Sequence, residues 1–184
     1  MKFYLAIDHL NGLEGGEETV TEYHWDDDGG GTKGGITQTT FTEYLVDNGM
    51  PSRDVRTITK EERIGVIFCR YWMRTGMTMA PGLDFMAFQF GFVAGTTNAI
   101  RRLQPLLTTY EGRIDGLLGP KMYAALQAAA KDKMALRCLI MEYAMAQDNY
   151  YEVCKKRDPH KPLAGWKNRT RRAVKISLAD LAGD

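Results

Sequence analysis

Residues 3–37 decide the fold: FYLAIDHLNGLEGGEETVTEYHWDDDGGGTKGGIT. Apolar residues at the start of this stretch recur at intervals of three and four, which predicts an amphipathic helix. Its buried face would carry Phe3, Ile7, Leu10 and Leu13. The helix is expected to end at Glu14, because the following Gly15-Gly16 pair can adopt the left-handed conformation of a helix cap. A carboxylate at this end faces the negative pole of the helix dipole, which favours the protonated form that a general acid needs.

The second half of the stretch is acidic and then rich in glycine. Eight Asp or Glu residues and no Lys or Arg lie between positions 8 and 28. The glycines that follow predict a short polar β-hairpin that carries Thr32 beside Asp27, and then a new helix from Thr39 or Thr40. A helix, an acid at its end, a hairpin and a second helix form the layout of a lysozyme active-site cleft.

Two motifs in this stretch carry a family resemblance. Glu14-Gly15-Gly16, followed by Asp27-x-Gly29-Gly30-x-Thr32-x-x-Gly35-Ile36-Thr37, resembles the signature of glycoside hydrolase family 108, the phage and bacterial N-acetylmuramidases. The resemblance implies that Glu14, Asp27 and Thr32 are catalytic. The segment between the two motifs is longer than is usual in the family, so that either Asp26 or Asp27 holds the acidic position.

The resemblance continues through most of the chain. Further matches are Tyr71-Trp72, Gly95, Leu103-Gln104, the Asp-Gly-x-x-Gly-Pro pattern at 115–120 and the Gly-Trp-x-Asn-Arg pattern at 165–169. The candidate substrate-binding residues are Asp26, Gly35, Tyr71 and Trp72. The chain departs from the family at Gln89 and Val93, where Asp and Asn are usual. We therefore do not expect these two positions to take part in the chemistry.

The predicted fold is mainly α, a lysozyme-like helical fold with a small β-hairpin in the active-site region. We expect one compact domain over 1–184, with a catalytic part at 1–105 and a helical part at 106–184 that resembles the family's predicted peptidoglycan-binding region. Helices are predicted at 38–50, 60–74, 83–104 with a break near Gly95, 120–130 and 132–157. Thr59 and Glu62 form a capping box before the second of these. The 132–157 helix is so apolar that we expect other helices to enclose most of it.

Charge and composition restrict the function classes. The net charge is +1, yet residues 155–175 carry nine Lys or Arg and one acid. Nucleic-acid binding through this basic segment is disfavoured, because the acidic front half would repel phosphate. The three cysteines show no metal-ligand spacing, and buried free thiols are expected. No secretory signal or membrane span is recognised, so we expect no stable membrane insertion and a monomer made in the host cytoplasm.

The resemblance implies hydrolysis of peptidoglycan without a metal or an organic cofactor. Glu14 would protonate the glycosidic oxygen, Asp27 or Asp26 would stabilise the cationic sugar or orient water, and Thr32 would hold that water. A phage endolysin that reaches the periplasm after holin release is the favoured setting. The alternatives are a lytic transglycosylase, or a non-catalytic protein that binds peptidoglycan or belongs to a virion.

Overall fold

The structure, a computed structural model, describes residues 1–14, 23–26, 30–77 and 80–183. Its internal contacts divide the chain into two compact units. We name Phe3–Met73 the N-terminal unit, and Met1–Lys2 together with Arg74–Asp184 the C-terminal unit. The described residues are mainly helical with one small sheet, which confirms the predicted fold class. The expected single domain with parts 1–105 and 106–184 stays a prediction.

The N-terminal unit begins with the predicted amphipathic helix. Helix α1 spans Phe3–Leu13 and buries Ala6, Ile7 and Leu10. The backbone amide of Glu14 donates to the carbonyl oxygens of Leu10 and Asn11, both at 3.1 Å, so Glu14 closes the last turn. The glycine cap predicted at 15–16 lies outside the described residues.

A three-stranded antiparallel sheet in the order β1-β2-β3 follows. The strands are β1 (Tyr23–Asp26), β2 (Gly30–Lys33) and β3 (Ile36–Thr37). Gly34 and Gly35 connect β2 to β3 with φ angles of 58° and 76°. Because both turn residues have positive φ, this connection needs residues that tolerate the left-handed region. The predicted hairpin is therefore present, with a third strand added.

Two helices follow the sheet in the N-terminal unit. Helix α2 spans Gln38–Asp47 and begins where the predicted 38–50 helix does, one residue before the earlier of the two starts expected at Thr39 or Thr40. The Thr37 side chain accepts a hydrogen bond from the amide of Thr40 and so caps the helix. Helix α3 spans Lys60–Ile67 and begins with the predicted capping box between Thr59 and Glu62.

The helix predicted over 60–74 does not continue as a regular α-helix. From Phe68 to Gly76 the chain forms a π-helix. The apolar pattern of the 60–74 segment predicts core positions for Ile67 and Phe68. Ile67 is fully buried, as predicted. The prediction is wrong for Phe68, which is 37% exposed and packs edge-to-face with Phe3 at 4.9 Å between ring centroids.

Five α-helices make up most of the described part of the C-terminal unit. They are α4 (Leu83–Ala94), α5 (Thr96–Leu103), α6 (Pro120–Ala129), α7 (Lys133–Arg157) and α8 (Leu163–Ala182). The predicted break falls at Gly95, whose φ of 86° ends α4 and begins α5. Helix α4 is buried over residues 83–91 and packs against α5, α7 and α8. This helix is therefore the centre of the C-terminal unit.

A buried polar network fixes α4 against its neighbours. The Gln89 side chain donates to Oε1 of Gln147 at 2.8 Å and accepts from Nε of Arg169 at 3.1 Å. Gln147 also donates to the carbonyl oxygen of Met86 at 3.3 Å. Gln89, one of the two positions where the sequence departs from the family pattern, thus joins helices α4, α7 and α8.

Helix α7 is less enclosed than its composition suggests. Met134, Met141 and Met145 are 68%, 48% and 66% exposed, and they share one side of the helix with exposed Cys138. The opposite side, which includes Leu136, Ile140 and Tyr143, is buried. The expectation of a mostly enclosed helix is therefore wrong for one face.

The three cysteines are free, as predicted, but they are not buried. Cys69 and Cys138 are exposed, and Cys154 is half-buried. Among the helices that the structure describes, none combines the length and the apolar composition that crossing a membrane requires.

Asp84 is a buried carboxyl in the first turn of α4. Its side chain is paired with the Met1 amino group, which also lies 3.2 Å from Oδ2 of Asp180. Burial raises the pKa of Asp84 to about 6, and the hydrogen bond and charge of the amino group only partly oppose this. Oδ2 of Asp180 in turn accepts from the amide of Gly82 at 2.8 Å.

This environment makes stability depend on pH. A carboxyl whose pKa is higher in the folded state than in the unfolded state contributes stability at low pH, and this contribution is lost as pH rises through the folded-state value. Relative to Asp84→Asn, the free energy of unfolding of the wild type should therefore fall by on the order of 3 kcal/mol between pH 3.5 and 7. Urea unfolding of the untagged proteins across this range measures the difference.

Asp158→Asn is the matched control. The backbone amide of His160 holds the pKa of half-buried Asp158 below its ordinary value. Relative to Asp158→Asn, the free energy of unfolding of the wild type should therefore rise with pH rather than fall. If the stability of the wild type relative to Asp84→Asn did not change with pH, the raised pKa of Asp84 would be contradicted.

Candidate active site

The predicted general acid lies where α1 ends. Glu14 follows Leu13, is half-buried, and is held by the two backbone hydrogen bonds that close the helix. The carbonyl end of a helix carries partial negative charge, so a carboxylate here needs a compensating positive group.

The nearby positive group is Arg63 of α3. Its side chain is almost fully buried, at 7% residue exposure. Burial lowers the pKa of Arg63, and the charge of Glu14 opposes this shift. Glu14 and Arg63 therefore interact as charges within the N-terminal unit.

Arg63 also links the helix to the hairpin. Its Nε donates to the carbonyl oxygen of Gly34 at 2.7 Å, and its Nη2 donates to Oδ1 of Asn11 at 3.1 Å. Asn11 lies one turn before Glu14 on α1, and Gly34 lies in the turn between β2 and β3. One guanidinium thus sets the spacing between the acid-bearing helix and the hairpin.

Thr32 occupies the middle of the sheet. It lies on β2, opposite His24 of β1 and Thr37 of β3, and its side chain is half-buried. The next residue, Lys33, donates from Nζ to the carbonyl oxygen of Arg56 at 2.7 Å. The segment that carries Thr32 is therefore anchored by Lys33 and, two residues after Thr32, by the Gly34–Arg63 hydrogen bond.

The second carboxylate stays a prediction. Asp27 lies outside the described residues. Asp26 is the last residue of β1, where it pairs with Gly30 of β2. Asp26 thus lies at the end of β1 that pairs with the start of β2.

The predicted aromatic pair lies in the π-helix that follows α3. Trp72 is 6% exposed, and its ring centroid lies 5.7 Å from that of Phe3. Tyr71 is half-buried; burial raises the pKa of its phenol, and a hydrogen bond with Thr40 of α2 partly opposes this. Gly35 is exposed on the β2–β3 turn. Substrate contact by these residues stays a prediction, and both Trp72 and Tyr71 have packing partners within the N-terminal unit.

Sequence reasoning missed Arg63 and Asn11. An arginine within an amphipathic helix ordinarily points to solvent, and no local pattern distinguishes one that is buried. Its partners lie 29 and 52 positions away in the chain, so only the folded unit shows the connection.

Two family models match this chain. Glycosyl hydrolase 108 matches residues 7–95, and Predicted Peptidoglycan domain matches residues 98–172. Nine chains of solved structures match, among them the structure of Brucella abortus SagA, with a TM-score of 0.71 and 25% identity over 97% of this chain and 95% of that chain. No curated protein matches. These findings confirm the family resemblance and the lysozyme-like fold, and they support a glycoside hydrolase that acts on peptidoglycan.

Removing the Arg63 guanidinium should loosen the N-terminal unit. We expect Arg63→Met to lower the free energy of unfolding by about 2–3 kcal/mol, because Gly34 and Asn11 would lose a charged donor in a buried place. Arg63→Lys should recover part of this loss, since a lysine keeps the charge but cannot reproduce the planar fork. Urea unfolding followed by circular dichroism measures both variants.

Arg56→Met provides the control for a general loss of positive charge. Arg56 is exposed and pairs with Asp54, and an exposed pair of this kind contributes little to stability, because solvent screens it. If Arg56→Met and Arg63→Met lowered the free energy of unfolding equally, the linking role of Arg63 would be contradicted.

Proposed function

Since residues 7–95 make this chain a member of the glycosyl hydrolase 108 family, we propose that it is an N-acetylmuramidase. It would cleave the β-1,4 bond between N-acetylmuramic acid and N-acetylglucosamine. The observation that carries the proposal is the position of Glu14, half-buried at the end of α1 and held there by two backbone hydrogen bonds. A carboxyl held in this way can present its proton to a bound substrate in a fixed orientation.

In the proposed reaction Glu14 protonates the glycosidic oxygen while the departing sugar gains oxocarbenium character. Asp27, or Asp26 in its place, remains ionised and either stabilises this cation or orients the attacking water. Thr32, on the central strand of the sheet, helps to hold the water. Once the bond has broken, water supplies the hydroxyl of the new reducing end, and Glu14 regains a proton.

The biological setting is part of the proposal. We infer that the enzyme is a monomeric phage endolysin that lyses the host cell. It would be made in the host cytoplasm and would reach peptidoglycan in the periplasm after holin release. The Predicted Peptidoglycan domain at residues 98–172 supports peptidoglycan as the partner.

Replacing the acid tests the reaction. We expect the wild type to clear purified peptidoglycan and to release reducing N-acetylmuramic acid ends. Glu14→Gln should lower the rate by at least about a hundredfold, because an amide cannot donate the proton that a general acid provides. Turbidity gives the rate, and mass spectrometry identifies the ends of the fragments.

Glu61→Gln is the matched control, since Glu61 is an exposed carboxylate of α3 in the same unit, and its activity should stay near that of the wild type. Clearing that survives Glu14→Gln would remove Glu14 from the mechanism. Anhydro-muramic ends would indicate a lytic transglycosylase instead, and binding without cleavage by the wild type would indicate a non-catalytic wall-binding protein.

A second pair of variants separates the two candidate carboxylates. We expect Asp27→Asn to lower kcat by about a hundredfold or more, because the oxocarbenium-like transition state would lose its negative partner. Asp26→Asn should lower kcat by less than about tenfold if this residue only contacts the substrate. Steady-state rates on the same peptidoglycan measure both, and the reverse order would assign the catalytic role to Asp26.

A further inference from the structure

The N-terminal unit contains a cavity beside the proposed site that the chemistry above does not use. It has a volume of about 470 Å³ and lies between α1, the end of β2 and the start of α3. Volumes of this size accommodate a small ligand or a few residues of a peptide. We name this cavity the basic pocket.

The described lining of the basic pocket is cationic. Lys33, Lys60 and Arg63 contribute three positive charges, whereas Asp8 is the one acid among the lining residues. Lys60 is exposed at the rim. Lys33 uses one of its three N–H donors in the hydrogen bond to the Arg56 carbonyl oxygen, which leaves two for a ligand. The pocket can therefore attract and pair with an anionic group.

Most of the remaining lining is apolar. Ile7 and Ile58 are buried at the base of the pocket, with 5% and 7% of their surface exposed. Ile64 and the exposed ring of Tyr4 add further apolar surface. A ligand that fits should thus combine carboxylates with methyl or methylene groups.

The pocket begins next to the proposed acid. Asn11 lines it and is linked to Glu14 through the last turn of α1, and Lys33 lines it directly after Thr32. From Glu14 back to Tyr4 the helix rises about 15 Å, at about 1.5 Å per residue. An extended peptide of four or five residues spans the same length, at roughly 3.3 Å per residue.

We propose that the basic pocket binds the acidic peptide stem attached to N-acetylmuramic acid, so that the enzyme prefers glycan strands that carry their peptides. This proposal rests on the proposed muramidase function and names the part of the substrate that the pocket recognises. The stem offers carboxylates to Lys60 and Lys33, and its alanine methyl groups can lie against Ile7 and Ile58.

The experiment compares intact peptidoglycan with strands from which an amidase has removed the stems. On intact strands, Lys60→Gln should lower kcat/KM by about fivefold, the effect of losing one partly exposed ion pair. Lys60→Glu should lower it further, and both effects should shrink as salt is added. On stripped strands neither variant should differ from the wild type by more than about twofold.

Lys175→Gln is the matched control, because Lys175 is an exposed lysine of the C-terminal unit that lies beyond residues 98–172 and does not line the pocket. An equal loss for Lys60→Gln on both substrates would overturn the proposal and point to the lactyl carboxylate of the sugar. Unchanged rates for Lys60→Gln and Lys60→Glu on intact strands would also overturn it.

Binding of the free stem peptide separates this proposal from the proposed function. Calorimetry with a synthetic L-Ala–D-Glu–diaminopimelate–D-Ala peptide needs no cleavage. Binding by the wild type and by Glu14→Gln, weakened in Lys60→Glu, is the expected result. If the peptide binds but no muramic ends are released from the wall, the muramidase proposal fails while the pocket stands; if muramic ends are released but the peptide does not bind, the pocket proposal fails alone.

Discussion

The buried guanidinium of Arg63 is the constraint on which the N-terminal unit depends. Strands of four, four and two residues form a sheet too small to be stable in water by itself. Arg63 joins this sheet to α1 through Gly34 and Asn11, and the helices supply the rigidity that the sheet lacks. The dependence is mutual, because a buried cation persists only where oxygen acceptors and an opposite charge compensate for the lost water. Here the candidate acid is itself part of that compensation.

Buried polar groups also determine how the helices of the C-terminal unit pack. Helix α4 is apolar on nearly every side, and apolar packing alone discriminates poorly between neighbouring registers. Two polar residues interrupt it, and each finds partners far away in the sequence: Gln89 bonds Gln147 and Arg169, and Asp84 pairs with the Met1 amino group. A shifted helix would leave these groups buried without partners, at a cost of about 1–3 kcal/mol each. The polar positions thus favour one arrangement of the helices around α4.

Features that depend on residues close together in the sequence could be predicted, whereas features that depend on distant residues could not. The capping box at Thr59, the break at Gly95 and the start of α6 at Pro120 are local effects, and each lies where the sequence places it. The π-helix after Ile67 and the burial of Arg63 depend on contacts between distant segments, which local patterns do not encode. The exposed methionine face of α7 shows the converse error, since apolar composition predicts burial only when another element covers it. In the candidate site, the sequence predicted that Glu14 lies at a helix end and that Thr32 lies on a hairpin. It did not predict the Arg63 hydrogen bonds that join this helix to the hairpin.

The family motif around Thr32 combines chemistry with architecture. Within Thr32-x-x-Gly35-Ile36-Thr37, Gly35 has a φ of 76°, which residues other than glycine rarely adopt. The backbone conformation alone therefore favours glycine here, whether or not Gly35 contacts the substrate. Ile36 is fully buried, and Thr37 caps α2 through the amide of Thr40. Three of the four named positions therefore build the junction between the hairpin and the next helix, and they leave Thr32 as the side chain available for chemistry. A match to this motif consequently specifies the position of Thr32 in the fold as well as its identity. A short pattern can therefore fix the place of one candidate residue even though the residues around it come from distant parts of the unit.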